Sequence, residues 1–177
     1  MVLPWVYGLF LSLTSGKMGL QKAILEGKLA PSQCSKWKKA RAAVRRRNIY
    51  YCGNDTSTQF FTASVAEELL LNTELTEGSK DRAIHLLKEF GLYEYRDAHP
   101  STLSGGQKQR LAIACAVFSG RRILILDEST SGLDGQNMRL IAERLKSEAR
   151  SGRTILVTTH DRELIESCCD NIVEVEK

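Results

Sequence analysis

Short apolar runs alternate with helical patterns in the second half of the chain, and this alternation restricts the fold more than any other feature. Runs at 123–126 and 154–157 have the length of strands, and a third lies at 172–175. Stretches with helical periodicity separate them. Strands that are apolar throughout and joined by helices form a parallel sheet covered on both faces. The sequence therefore predicts an α/β fold with a mainly parallel sheet, whose ligand site lies at the carboxyl ends of the strands.

The first half of the chain is less regular. Its apolar opening, MVLPWVYGLFLSL, predicts a buried strand, because the run is much shorter than the ~20 residues that cross a bilayer. A helix-compatible stretch, QKAILEGKLA, and a polar, basic connector follow up to about residue 48. The segment IYYCG predicts another strand, while Ser64 and Thr76 are candidate N-caps of two helices.

Positive charge is concentrated in one segment. Residues 36–47 (KWKKARAAVRRR) carry +7, so that the rest of the chain sums to −3 within a formal net charge of +4. Nucleic-acid-binding proteins spread basic residues over a face, and this segment has a single aromatic residue, Trp37. We interpret it as a solvated linker and expect no nucleic-acid partner. The five cysteines lack CxxC spacing, which favours a reduced compartment and no structural zinc.

The strongest chemical signal is the segment LSGGQ at 103–107. Ser104 and Gln107 have the spacing of a capping box at the start of a helix. The two glycines between them leave backbone N–H groups uncovered, and the helix dipole adds positive potential there. This pattern predicts a binding site for an anion such as a phosphate group.

Two carboxylates follow the apolar run at 123–126. Asp127 and Glu128 stand where Mg²⁺ and an attacking water molecule could be held in a fixed geometry. The segment SGLD at 131–134 follows directly, and His160 lies 32 residues after Glu128, at the end of the next predicted strand. The two carboxylates predict a site for Mg²⁺ and an attacking water molecule at one edge of the sheet.

Together these motifs resemble the signature, Walker B, D-loop and switch-histidine motifs of the ATP-binding subunits of ABC transporters. The resemblance implies a P-loop NTPase-like fold with a helical subdomain, and ATP and Mg²⁺ as cofactors. In the family pattern Asp127 holds magnesium, Glu128 polarises the attacking water and His160 contacts the γ-phosphate. The signature and D-loop residues would contact the nucleotide: Ser104, Gly105, Gly106, Gln107 and Asp134.

The resemblance weakens toward the N-terminus. No stretch there matches the phosphate-binding pattern G-x-x-x-x-G-K-[ST] in full. Placed on that pattern, residues 16–23 have Gln21 in place of the last glycine and Ala23 in place of the hydroxyl residue. Hydrolysis at the chain's own site is therefore doubtful, and the N-terminal strands are expected to be incomplete. The nucleotide-binding candidates that remain are Gly16, Gly19 and Lys22.

The glutamine loop of the family is altered too. Residues 49–61 (IYYCGNDTSTQFF) resemble the segment of energy-coupling-factor-type importers in which a glutamine precedes Q-[LF]-F, and Asn54 stands at the glutamine position. The resemblance assigns Asn54 to nucleotide and magnesium binding, with a side chain one methylene shorter than glutamine. Ser129 replaces the usual proline after Glu128, a difference expected to matter little.

The resemblance implies three parts of the chain and two kinds of partner. Residues 1–48 would be a degenerate N-terminal part of the nucleotide-binding core, 49–102 the glutamine-loop segment and helical subdomain, and 103–177 the core with the remaining motifs. The partners would be a second ABC ATPase subunit, in a homo- or heterodimer, and membrane-spanning transport subunits. Such partners would place the chain in the cytoplasm, on the inner face of the cell membrane.

Three alternatives stay open from the sequence. The chain could be a degenerate subunit that completes the ATP site of another chain, or the product of a truncated gene. A DNA-repair-type ABC ATPase carries the same signature, but its two halves are joined by long coiled coils. Only 48 residues separate Asn54 from Leu103, which favours the helical subdomain of a transporter ATPase.

Overall fold

A computed structural model describes residues 6–11, 47–56, 59–71 and 73–175. Five strands and five α-helices are assigned within these ranges. In chain order they are β1 (Val6–Leu11), β2 (Ile49–Cys52), α1 (Val65–Leu70), α2 (Glu77–Glu89), α3 (Gly105–Phe118), β3 (Ile123–Asp127), α4 (Gly135–Arg150), β4 (Thr154–Thr159), α5 (Arg162–Cys168) and β5 (Asn171–Val175).

The five described strands form one parallel sheet in the order β2-β3-β4-β1-β5. Strand β1 comes first in the chain but lies between β4 and β5, with Leu9 opposite both Thr158 and Val173. On the other side of β4, Asp127 pairs with Thr158. Since all strands run in one direction, their carboxyl ends meet at one edge. The predicted parallel α/β sheet and P-loop NTPase-like fold are confirmed, and the apolar opening contains the predicted strand.

Each of the five described helices begins at a side chain that caps its first turn. The capping oxygen accepts a hydrogen bond from the backbone N–H three residues later, which satisfies one of the free donors of the first turn. Helices α2 and α3 add the reciprocal bond of a capping box. The caps are Ser64, Thr76, Ser104, Asp134 and Asp161.

Helix α3 is the centre of the core. Residues 111–118 are all buried, so that more than one face of this helix is covered. Helices α1 and α2 pack against it, and α2 buries an apolar face, including Leu86 and Leu87, before Gly91 ends it in a left-handed conformation. The loop that follows β2 is thereby attached to the helix whose N-terminus carries the LSGGQ segment.

A group of paired charges joins α2, α3 and α4. Arg144 contacts Glu89 at 3.0 Å and Glu148 at 2.8 Å, and Arg153 contacts Glu148 at 3.0 Å. Arg153 also donates to the carbonyl of Val117 at 2.7 Å, near the C-terminus of α3. Guanidinium groups at this end complement the negative pole of the helix and satisfy carbonyls that lack an intrahelical partner.

Some expectations lie outside the described residues or are not tested by the fold. The first group comprises the stretch QKAILEGKLA, residues 36–46 of the basic segment, and residues 16–23. The division of the chain at residues 48 and 102 stays a prediction. Within the described ranges, no helix combines the length and apolar character that a membrane span requires.

Candidate functional site

The carboxyl end of β3 and the end of β4 bring two predicted site residues together. Glu128 adopts a left-handed backbone conformation with φ of 52°, uncommon for a residue with a side chain, and its N–H donates to the carbonyl of Thr158 at 2.9 Å. Nδ1 of His160 lies 2.9 Å from Oε2 of Glu128. The backbone turn at Glu128 therefore directs its carboxylate toward the residue that ends the neighbouring strand.

Asp127 is bound by a residue that the sequence did not single out. The hydroxyl of Tyr51 donates a hydrogen bond of 2.7 Å to Oδ2 of Asp127. Tyr51 lies on β2 opposite Ile125, two residues before Asp127 on the adjacent strand. Partial burial and the hydrogen bond to Asp127 raise the pKa of the Tyr51 hydroxyl above its usual value, so it remains a donor at neutral pH.

Asn54 is exposed in the bend that follows β2, and its surroundings are fixed by two side chains. Ser129 is buried and donates to the carbonyl of Cys52 at 3.1 Å. Gln59 donates to the carbonyl of Gly53 at 3.0 Å. The hydroxyl that Ser129 carries in place of the usual proline thus joins the end of β2 to the turn after β3. The expectation that this replacement matters little stays a prediction.

The LSGGQ segment begins α3 as predicted. Gln107 N–H donates to Oγ of Ser104 at 3.4 Å, and Ser104 N–H donates to Oε1 of Gln107 at 2.8 Å. Among the described residues, a Cβ atom on Gly105 would meet nothing within 4 Å, and one on Gly106 would meet only the carbonyl of Gly132 at 3.9 Å. Packing within the described part of the chain therefore does not require these two glycines. Their lack of side chains suits the close approach of a group from outside the chain.

The D-loop segment lies beside the start of α3. The side-chain amide of Gln109 donates to the carbonyl of Ser131, so that this segment is attached to the first turns of the signature helix. Asp134 caps α4 and accepts from Asn137 N–H at 2.9 Å. This backbone bond, with a second from the Asn137 side chain, lowers the pKa of the Asp134 carboxyl below its ordinary value.

Sequence reasoning thus missed three residues that shape the site: Tyr51, Ser129 and Gln109. Each acts through a contact with a residue far along the chain, so no local pattern marks it. Ser129 does depart from the family's proline, but that departure does not identify Cys52 as its partner.

Three predicted nucleotide contacts, Gly16, Gly19 and Lys22, lie outside the described residues. The structure does describe the strand before them. Strand β1 ends at Leu11, at the same edge as Asp127 and Thr159, between β4 and β5. The chain therefore leaves β1 at the edge where the carboxylates are gathered.

The residues at this edge fit a magnesium ion shared with a nucleotide. Mg²⁺ prefers oxygen ligands and is usually held by one or two carboxylates, water and substrate phosphates. Asp127 supplies a carboxylate, and Oγ1 of the adjacent Thr158 is buried without a hydrogen-bond partner among the described residues. Within the described part of the chain no three His, Cys, Asp or Glu side chains cluster as a metal site, so phosphate and water would complete the coordination.

Comparison with known proteins agrees with this geometry. Residues 11–131 match the family described as ABC transporter. A methionine import ATP-binding protein, MetN, of Haemophilus influenzae is 40% identical over 130 residues, covering 73% of this chain and 38% of the relative. MetN 1 of Oenococcus oeni is 48% identical over 98 residues, covering 55% of this chain and 28% of the relative.

A solved structure supports the same assignment. The ATP-binding subunit of an ABC transporter superposes with a TM-score of 0.76 at 25% identity, covering 99% of this chain and 76% of that one. The chain spans between about a quarter and two-fifths of the length of the curated relatives it matches. The family match covers more than half of the chain, and the chain therefore belongs to the ABC transporter family.

Proposed function

We propose that this chain is the ATP-binding subunit of an ABC-type import system. The observation that carries the proposal is the edge of the parallel sheet at which Asp127, Glu128 and His160 lie together, with the chain leaving β1 at the same edge. Ligands of such sheets bind at this edge. The names of the relatives, which are methionine import proteins, support import as the direction of transport.

The chain's own residues would divide the chemistry among them. Glu128 would accept hydrogen bonds from the attacking water and polarise it, and His160 would hold the Glu128 carboxylate and contact the γ-phosphate. Asp127 and Asn54 would hold Mg²⁺ through oxygen atoms. When bound, Mg²⁺ would neutralise charge on the phosphates during transfer.

The end of β1 bears on the register of the phosphate-binding loop. That loop follows directly after its strand, and G-x-x-x-x-G-K-[ST] can be aligned from Leu11 so that Gly16 and Lys17 are its G-K pair. We favour this register over that of residues 16–23, in which Lys22 is the lysine, because it starts at the last residue of β1. Leu11 then replaces the first glycine of the pattern. Met18 then stands at the hydroxyl position.

Both registers lack the hydroxyl that would bind magnesium, since Met18 or Ala23 occupies its place. Loss of one preorganised group at a phosphoryl-transfer site costs roughly 10²–10³ in rate. We therefore expect the isolated chain to bind ATP and to hydrolyse it very slowly.

The LSGGQ segment supports a second role, toward a partner subunit. Membership of this family implies that two ATPase subunits pair head to tail, so that the signature of one chain faces the nucleotide of the other. No described residue packs closely against the Cα atoms of Gly105 and Gly106, as expected for such a surface. The partners proposed are thus a second ATPase subunit and membrane-spanning subunits, with the chain on the cytoplasmic face of the membrane.

The first test is ATP binding by the purified chain, measured calorimetrically in Mg²⁺ and in EDTA, with two lysine variants. Lys17→Ala is expected to weaken binding strongly and Lys22→Ala, its matched control, to leave binding nearly unchanged. The reverse result would favour the register of residues 16–23, in which Lys22 is the lysine. If the wild-type chain binds no ATP in either condition, the proposal that this chain has a nucleotide site of its own is wrong.

The second test uses the reconstituted pair of subunits and steady-state phosphate release. Ser104→Arg is expected to abolish the activity of the pair, because a bulky cation would block the N-terminus of α3. Glu128→Gln should change it little, since this carboxylate serves the impaired site of its own chain. A large loss from Glu128→Gln with a harmless Ser104→Arg would mean that the two roles are reversed.

A further inference from the structure

The hydrogen bond between Tyr51 and Asp127 joins two neighbouring strands at the proposed nucleotide site. Tyr51 Oη lies 2.7 Å from Asp127 Oδ2. Because Tyr51 pairs with Ile125 in parallel register, Tyr51 and Asp127 are on the same face of the sheet. Thr158, the partner of Asp127 on the other side, belongs to that face as well. Asp127 therefore lies on the middle one of three neighbouring strands, with Tyr51 on β2 at one side and Thr158 on β4 at the other.

The position of the tyrosine is set by contacts that do not involve the carboxylate. The backbone after Tyr51 is held at two successive carbonyls, that of Cys52 by Ser129 and that of Gly53 by Gln59. A Cβ on Gly53 would lie 3.3 Å from Cε1 of Tyr51, so glycine at this position leaves room for the ring. The hydroxyl is thus placed by its strand and loop, and Asp127 Oδ2 accepts a hydrogen bond from it.

We propose that Tyr51 is a positioning residue that orients the Asp127 carboxylate toward the magnesium ion of bound ATP, an inference that rests on the proposed nucleotide site. Its hydroxyl holds Oδ2 and leaves Oδ1 directed to the metal or to a metal-bound water. Hydrogen-bond partners of metal-binding carboxylates fix their orientation in this way. Metal binding would depend more strongly on Asp127 in this chain, because neither Met18 nor Ala23 supplies a hydroxyl to the metal.

The test compares Tyr51→Phe with Tyr50→Phe. Both variants lose one hydroxyl, but Tyr50 lies on the opposite face of β2, packed against the core. ATP affinity is measured calorimetrically at saturating Mg²⁺ and in EDTA. Tyr51→Phe is expected to weaken the Mg²⁺-dependent affinity roughly tenfold, at the lower end of effects seen for such partners, with the EDTA affinity unchanged. Tyr50→Phe should leave the ratio of the two affinities at the wild-type value.

A double-mutant cycle with Asp127→Asn separates positioning from a structural role. If Tyr51 acts through the carboxylate, Tyr51→Phe should have no further effect on the Mg²⁺ ratio in the Asp127→Asn background. An equal loss of affinity in Mg²⁺ and EDTA, an unchanged ratio, or tighter Mg²⁺ binding would each overturn the inference while leaving the nucleotide site standing. Absence of ATP binding by the wild-type chain would instead overturn the proposed function and the role of Tyr51 with it.

Discussion

Glu68 gives the sharpest stability prediction, because one oxygen of its buried carboxylate accepts three hydrogen bonds from a short loop segment. Oε2 of Glu68 accepts from Phe61 N–H at 2.9 Å, from Thr62 N–H at 3.0 Å and from the Thr62 hydroxyl at 2.9 Å. The side chain lies on α1, while Phe61 itself is 80% exposed. One carboxylate thus fixes the chain between the Asn54 bend and the first helix.

The magnitude follows from the groups that lose their acceptor. In Glu68→Ala the hydroxyl of Thr62 retains the carbonyl of Ser64, at 3.0 Å, but two backbone N–H groups lose their acceptor. Each partly buried, unsatisfied donor costs about 1–3 kcal/mol, so the loss should be about 2–4 kcal/mol for two donors near the surface. For a chain of this size, that loss lowers Tm by about 4–16 °C. Glu68→Gln retains an acceptor oxygen without the charge, and should cost about 1–2 kcal/mol.

Equilibrium urea unfolding measures the free energy of unfolding, and thermal unfolding measures Tm. Glu67→Ala is the control. Glu67 is adjacent, exposed, and accepts one bond, from Ala63 N–H at 3.1 Å. The expected order of stability is wild type and Glu67→Ala close together, then Glu68→Gln, then Glu68→Ala. If Glu68→Ala were as stable as the Glu67→Ala control, the carboxylate would not hold the loop and the argument would be wrong.

Three further predictions concern other contacts of the site and its supports. Ser129→Ala should lower the free energy of unfolding by about 1–2 kcal/mol, measured in urea, because it leaves the buried carbonyl of Cys52 without its donor. In a Cys34→Ser background, iodoacetamide at pH 8 should alkylate Cys169 in the native protein and Cys52 only after unfolding, checked by peptide mass spectrometry. A hydrogen bond from its neighbour lowers the pKa of the Cys169 thiol, whereas burial raises that of Cys52 to about 11. Asp134→Ala should destabilise the protein at neutral pH, and the difference should shrink in urea unfolding as pH falls below 3.8, the ordinary pKa of this carboxyl. Its pKa is lowered on folding, so its ionised form stabilises the fold above that pH and the contribution is lost on acidification.

The sequence was sufficient for elements whose cause is local. Ser64, Thr76 and Ser104 were predicted as caps, and each accepts its bond from a residue three positions later. The strand at 123–126 followed from its apolar run. The motif residues Glu128 and His160 were correctly expected at one edge, since parallel strands end together.

Other features were decided only by the tertiary structure. The placing of β1 between β4 and β5 joins the first and last parts of the described chain. Tyr51 and Asp127 are 76 residues apart, and Ser129 and Cys52 are 77 apart. The spacing of apolar residues along the sequence indicates which face of a helix or strand is buried. Which distant strand that face meets depends on strand order and register, set by the joint burial of all helices and strands, and so the partners of Tyr51 and Ser129 could be identified only in the folded chain.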